Sequence, residues 1–192
     1  MPWTMAHRTI PKDGERANGD AVLVRSEGEG ERERVLVAVI DGLGHGTAAA
    51  AASSKAVAFL STWSLREDLA VGMQGLHEAL RGSRGAAGSV CVLTDTELVC
   101  CGVGNVEIRY FGGKLPILLS PGVLGARVAH FRVCRGEVTP GARLVLFSDG
   151  ISARAPIDSQ RGLEPAALCD WVMSNHRKPI DDATVLACDL RA

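Results

Sequence analysis

The 192 residues, 46% hydrophobic and 22% charged, are enough to enclose a core and too apolar for a disordered chain. With 21 Lys plus Arg against 22 Asp plus Glu the net charge is −1, which removes any general electrostatic reason to bind nucleic acid or an anionic membrane. Only 4% of the residues are aromatic, so the interior has to be packed tightly from Ala, Val and Leu, and the length suits one domain over residues 1–192.

The N-terminus, MPWTMAHRTIPKDGE, has no apolar signal core, and the clean apolar runs end after six or seven residues, too few to span a membrane. Residues 21–25 read as a short strand, and EGEGERER (27–34) as the solvated tip of a hairpin leading into the oily strand 35–40. Beyond Gly46 a run of alanines starts a helix able to lie close to a sheet. Residues 65–81 form a second, weaker helical pattern. RGSRGAAGS (81–89) breaks it and reads as a helix-to-strand connection, in preference to a basic loop that cradles phosphate. Residues 90–94, 97–102, 107–111 and 114–119 are four strand-like runs joined by turn-compatible residues, which predicts an antiparallel meander. Strands at 128–133 and 143–148, a helix at 164–175 and a last strand at 183–189 complete the chain. Hairpins outnumber βαβ units, which points to an α+β fold with antiparallel sheets and helices outside them. The six cysteines include no CxxC pair and mostly sit in apolar runs, as small hydrophobes of a reduced, cytoplasmic protein do.

Three junctions carry chemistry. VLVAVI ends on Asp41, followed by three glycines in the next five residues; RLVLFS ends on Asp149-Gly150; and Asp181-Asp182 directly precede the last strand. A single Asp-Gly after a strand is ordinarily a turn. Three such places at the rim of one sheet would force carboxylates together, and clustered carboxylates repel unless a cation neutralises them. Oxygen donors without nearby His or Cys suit Mg²⁺ or Mn²⁺. A glycine beside the aspartate lets the backbone approach an ion and lend it a carbonyl.

The ordered set DGLGHG (41–46), SDG (148–150) and DDATVL (181–186), with NGD (18–20), GVGN (102–105) and GVLG (122–125), resembles the metal-dependent serine/threonine phosphatases of the PPM superfamily, in particular the compact SpoIIE-type bacterial branch that includes a stressosome phosphatase. The resemblance runs from about Asn18 to Leu190. It implies a four-layer αββα sandwich, two antiparallel sheets flanked by helices, with two Mn²⁺ or Mg²⁺ ions at one edge. By the same resemblance Asp41 would bridge the ions, the Gly42 carbonyl would bind one, Asp149 and Asp181 would hold the other, and Asp20 and Asp182 would act in an outer shell or at a weaker third ion. The catalytic set would be Asp41, Asp149 and Asp181. His45 would either protonate the leaving oxygen or make a local hydrogen bond at a helix start. The eukaryotic members carry a phosphate-gripping arginine near the N-terminus and a histidine inside the first DG motif, where Leu43 stands here. The implied activity is a phosphoserine/phosphothreonine phosphatase acting as a cytoplasmic monomer on phosphorylated STAS-domain stressosome proteins, with neither nucleic acid nor membrane as partner.

Two rival readings remain. DGLGHG also resembles the glycine box of GHKL-type ATP-binding anti-sigma kinases, although that arrangement wants a metal-binding helix upstream and leaves Asp149, Asp181 and Asp182 unused. The alternative is a silent binding module that keeps the phosphatase fold without its chemistry.

Overall fold

The structure is a computed structural model and describes residues 3–191. Its strands are β1 (Trp3–Ile10), β2 (Asp20–Glu27), β3 (Arg34–Gly42), β4 (Ala86–Leu93), β5 (Glu97–Val103), β6 (Glu107–Phe111), β7 (Gly122–Val123), β8 (Arg127–Val128), β9 (Cys134–Glu137), β10 (Arg143–Phe147) and β11 (Ala183–Leu190). Its helices are α1 (Thr47–Thr62), α2 (Leu69–Ala79) and α3 (Pro165–His176). One sheet runs β1-β11-β10-β6 and the other β2-β3-β4-β5-β9, every pairing antiparallel, with β7-β8 as a separate ribbon.

Alternation along the strands builds three parallel cores. Val35, Val37 and Val39 of β3 face Leu144, Leu146, Leu186 and Cys188 of the other sheet, whereas Leu36, Ala38 and Ile40 face α1 and α2. On the second sheet Val145, Phe147, Val185 and Ala187 turn outward to Leu168, Val172 and Met173 of α3. Strands covered on both faces read as unbroken apolar runs, which is why 35–40 looks oily throughout. The result is the expected αββα order. Helix α1 approaches its sheet on Ala49, Ala52, Ser53 and Ala56, residues small enough to bring backbone against backbone. Helix α2 starts at Asp68, whose carboxylate accepts from the Ala70 amide at 2.8 Å, and α3 carries Pro165 in its first turn, where no N–H is needed.

Several expectations fail. β1 was not foreseen; its apolar residues are few because one edge of the strand is exposed. The meander stops after β4-β5: β6 pairs with β10 in the opposite sheet, so Gly104-Asn105-Val106 crosses between sheets instead of closing a hairpin. Residues 114–119 are irregular; Leu115, Ile117 and Leu119 alternate into the inter-sheet core without a ladder, around Pro116. The strand expected at 128–133 shrinks to β8, and β9 takes the place beside β5. Helix α2 is shorter than 65–81, and β4 already begins inside the glycine-rich 81–89 segment.

Candidate metal centre and active site

Antiparallel register brings the first carboxylates together. Asp20 of β2 lies directly opposite Asp41 of β3, so both side chains leave the sheet on the same face at its rim. From the other sheet, Asp149 follows β10 and Asp181-Asp182 precede β11, strands paired side by side with Phe147 opposite Val185. A cleft of ≈ 240 Å³ opens at this edge, lined by Asp41, Asn105, Asp149 and Asp181 together with Leu43, Gly44, His45, Ala87 and Ile180. A larger cavity of ≈ 490 Å³ lies at the opposite ends of β10 and β11, where Arg143 is already paired with Asp189 at 2.6 Å; it holds no comparable carboxylate group.

Asp20 and Asp182 sit behind this lining. Asp20 is buried; its Oδ2 accepts from the Ser148 hydroxyl at 2.6 Å, while its Oδ1 finds no hydrogen-bond partner among the described residues. Ser148 in turn accepts from the Thr184 amide at 2.9 Å, tying the two sheets together under the cleft. Asp182, also buried, accepts from the Lys12 amide at 2.8 Å and the Gly19 amide at 2.9 Å, and so pins the β1–β2 loop. Asp149 accepts from the Asn105 amide group at 2.6 Å, and its backbone carbonyl accepts from Lys178 Nζ at 2.5 Å. His45 stands on the cleft wall with Nδ1 2.8 Å from Glu15 Oε1, a partner 30 residues earlier in the chain and so not a local helix-start contact.

Burial and mutual repulsion strain this group. Asp41 is pushed up to about 8, first by burial and then by Asp20, Asp149, Asp181 and Asp182. Asp20 rises to about 6, again chiefly by burial, with the Ser148 and Thr184 hydrogen bonds pulling it back. Asp149 is raised by burial and by Asp181, against Lys178 and Asn105, which lower it. The acids therefore feel one another. Yet among the described residues no three His, Cys, Asp or Glu side chains are gathered tightly enough to chelate one ion. Asp20, Asp149, Asp181 and Asp182 each accept a hydrogen bond from a neighbouring donor.

The donor set nonetheless fits a hard divalent cation: oxygen ligands only, an unsatisfied buried carboxylate oxygen on Asp20, and an excess of buried negative charge that a cation would neutralise. Ions that keep several waters need few protein ligands. The glycines after the aspartates have a further cause. A Cβ at Gly42 would run into the Ala49 carbonyl of α1, and one at Gly150 into the Asp182 carbonyl, so protein backbone closes both positions to any side chain. Lys178 and Glu15 were missed by sequence reasoning, and nothing in their spacing marks them; Ser148 stood in the SDG motif without a role. Asn105 had a signal, the GVGN motif, but no role.

The family model for stage II sporulation protein E (SpoIIE) matches residues 31–191. The chain belongs to the SpoIIE family. Its fold is that of the PPM phosphatases. A chain solved in work on the bacterial stressosome, a modular system adapted to control secondary messenger signalling, is 28% identical with a TM-score of 0.87, over 97% of this chain and 98% of that one. RsbX in complex with magnesium is 20% identical with a TM-score of 0.84, over 98% and 95%. The catalytic domain of the serine/threonine phosphatase PstP in complex with 2 manganese ions is 18% identical with a TM-score of 0.76, over 99% of each. No curated protein matches by sequence. The family match and the local fold both set aside the GHKL kinase reading, because the chain enters DGLGHG from β2, a 3-10 turn and β3, with no helix before the box among the described residues.

Proposed function

We propose that this chain is a Mn²⁺- or Mg²⁺-dependent phosphoserine/phosphothreonine protein phosphatase. The observation that carries this reading is the meeting of Asp41, Asp149 and Asp181, from separate segments of the chain, on the wall of one cleft. Asp41, the Gly42 carbonyl, Asp149 and Asp181 would hold two ions, with Asp20 and Asp182 supporting them from behind. Bound there, such ions acidify a water and offset the charge on phosphate oxygens. The chain's own residues do the rest. Asn105 fixes the Asp149 carboxylate, Ser148 fixes Asp20, and His45, oriented by Glu15, is placed to give a proton to the departing serine or threonine oxygen.

The substrates in this reading are phosphorylated STAS-domain proteins of a stressosome; the support is the likeness to the stressosome chain and to RsbX. The mouth of the cleft suits a folded substrate. Between Asp149 and Asp181 the chain has only a 3-10 turn at Ile157–Gln160 and α3, which packs on the outer face of its sheet, so no lid covers the carboxylates. Leu43 and Ile180, 39% and 76% exposed, flank the opening instead. Six free cysteines fit a reducing compartment, the cytoplasm.

The test is hydrolysis of p-nitrophenyl phosphate with Mn²⁺, expected to vanish in EDTA and in Asp41→Asn, followed by mass spectrometry of phosphorylated STAS-domain proteins incubated with the enzyme. A protein that binds Mn²⁺ but hydrolyses neither would be the silent binding module.

A further inference from the structure

Three cysteines form a row across one sheet. Cys91 of β4 lies directly opposite Cys100 of β5, and Cys100 lies directly opposite Cys134 of β9, so all three thiols leave the sheet on the face turned to the inter-sheet core. Burial grades along the row: Cys91 and Cys100 are fully buried, and Cys134, on the edge strand, is partly exposed, its Sγ donating to the Pro116 carbonyl at 3.1 Å. Cys101, one residue on, points to the opposite face against α2.

We propose that Cys134 and Cys100 are a peroxide-reactive dithiol that closes to a disulfide across β5 and β9. Opposed residues of antiparallel strands have Cα atoms roughly 4.5–5.5 Å apart, inside the span a disulfide accepts. Cys134 is the thiol an oxidant reaches. Its sulfur attacks hydrogen peroxide, forming an S–O bond as the O–O bond breaks; the departing hydroxide takes the thiol proton and leaves as water, and Cys134 becomes a sulfenic acid. Cys100 then attacks the Cys134 sulfur, the S–O bond breaks, and a second water leaves with the Cys100 proton. The net reaction converts two thiols and one peroxide to one disulfide and two waters, each sulfur losing one electron.

The bond would close residues 100–134, which carry Asn105 and the Gly102–Ser120 contact, and so tether β9 and the 112–133 stretch with its β7-β8 ribbon to the sheet that holds Asp41. It needs no metal, and its test is independent of catalysis. The full chain is treated with hydrogen peroxide, free thiols are alkylated, and unreduced peptides are sequenced by mass spectrometry. Two hydrogens should be lost from the chain and a Cys100–Cys134 link found, absent in Cys134→Ser and Cys100→Ala and retained in Cys91→Ala. The oxidised wild-type protein should also melt at a higher temperature than the reduced one. A link from Cys134 to Cys91 or Cys101, a link between two chains, or accumulation of sulfinic Cys134 without any link would overturn the assignment.

Discussion

Stripped of metal, the protein should lose stability as the pH rises through neutrality, opposite to the usual behaviour of carboxylates held by partners. Asp41 is expected to titrate near its ordinary 3.8 in the unfolded chain and at about 8 in the folded one. Between those values the native state keeps a proton that the unfolded state has released, so unfolding becomes easier by about 1.4 kcal/mol for each pH unit. The stabilisation is fully present below the unfolded value and gone once the pH passes the folded one. From about pH 5 to about pH 8 the loss due to Asp41 alone is about 4 kcal/mol, a large part of the roughly 5–15 kcal/mol that holds a domain folded. Asp20, raised from 3.8 to about 6, steepens the acid half of that window in the same direction. Urea titrations in EDTA across this range, on wild type and on Asp41→Asn, read the effect directly: wild type should fall towards pH 8 while the amide variant, neutral throughout, should be markedly flatter and more stable at the alkaline end. Mn²⁺ should restore wild type at pH 8 by taking the proton's place. Parallel curves for the two proteins in EDTA would refute the claim that repulsion and burial strain this cluster.

Asp149→Asn and Asp181→Asn should each lower Mn²⁺-dependent hydrolysis of p-nitrophenyl phosphate by roughly a hundredfold or more, with circular dichroism unchanged, because in the proposed reading each would supply a ligand charge. Asn105→Ala releases the Asp149 carboxylate from its 2.6 Å donor and should raise the Mn²⁺ concentration needed for half-maximal rate about tenfold, with a smaller change in kcat. Gly42→Ala should destabilise the metal-free fold by about 2–3 kcal/mol or more in denaturant, since its methyl group meets the Ala49 carbonyl of α1 and backbone cannot rotate away.

The parts of the fold legible in the sequence are those where local pattern and tertiary environment agree. Residues 35–40, 144–147 and 185–188 lie in the middle of sheets covered on both sides, and their unbroken apolar character marks them. The helix after Gly46 shows through its alanines. What failed depends on partners distant in the chain. β6 and the residues 114–119 carry the same alternation, yet one pairs with β10 and the other packs as irregular chain on the core; alternation reports a buried face and says nothing about which strand, if any, supplies the ladder. At the site, the three aspartate junctions stood out because they recur at strand ends, where one alone would read as a turn. Ser148 and Lys178 are ordinary residues whose importance comes from what lies 36 and 29 positions away, at Thr184 and Asp149.

The geometry also explains how acidic groups that repel one another are held at one rim. Asp20 and Asp41 stand on strands, and Asp149, Asp181 and Asp182 lie within two residues of β10 or β11. Asp41 and Asp20 are locked opposite each other by the β2-β3 register, Asp20 is tied across to the second sheet through Ser148 and Thr184, and Asp182 holds two backbone amides of the β1–β2 loop. The strands that carry these groups end in three packed cores, so separating the carboxylates would mean sliding a buried strand out of register, which turns its apolar side chains to the wrong face. Side-chain rotation is the cheaper relief, and donors stand within reach: Asn105 beside Asp149, and the Lys12 and Gly19 amides beside Asp182. A cation entering the cleft therefore has to draw in side chains and leaves the backbone in place. Preorganisation of this kind predicts that metal binding changes stability far more than it changes structure.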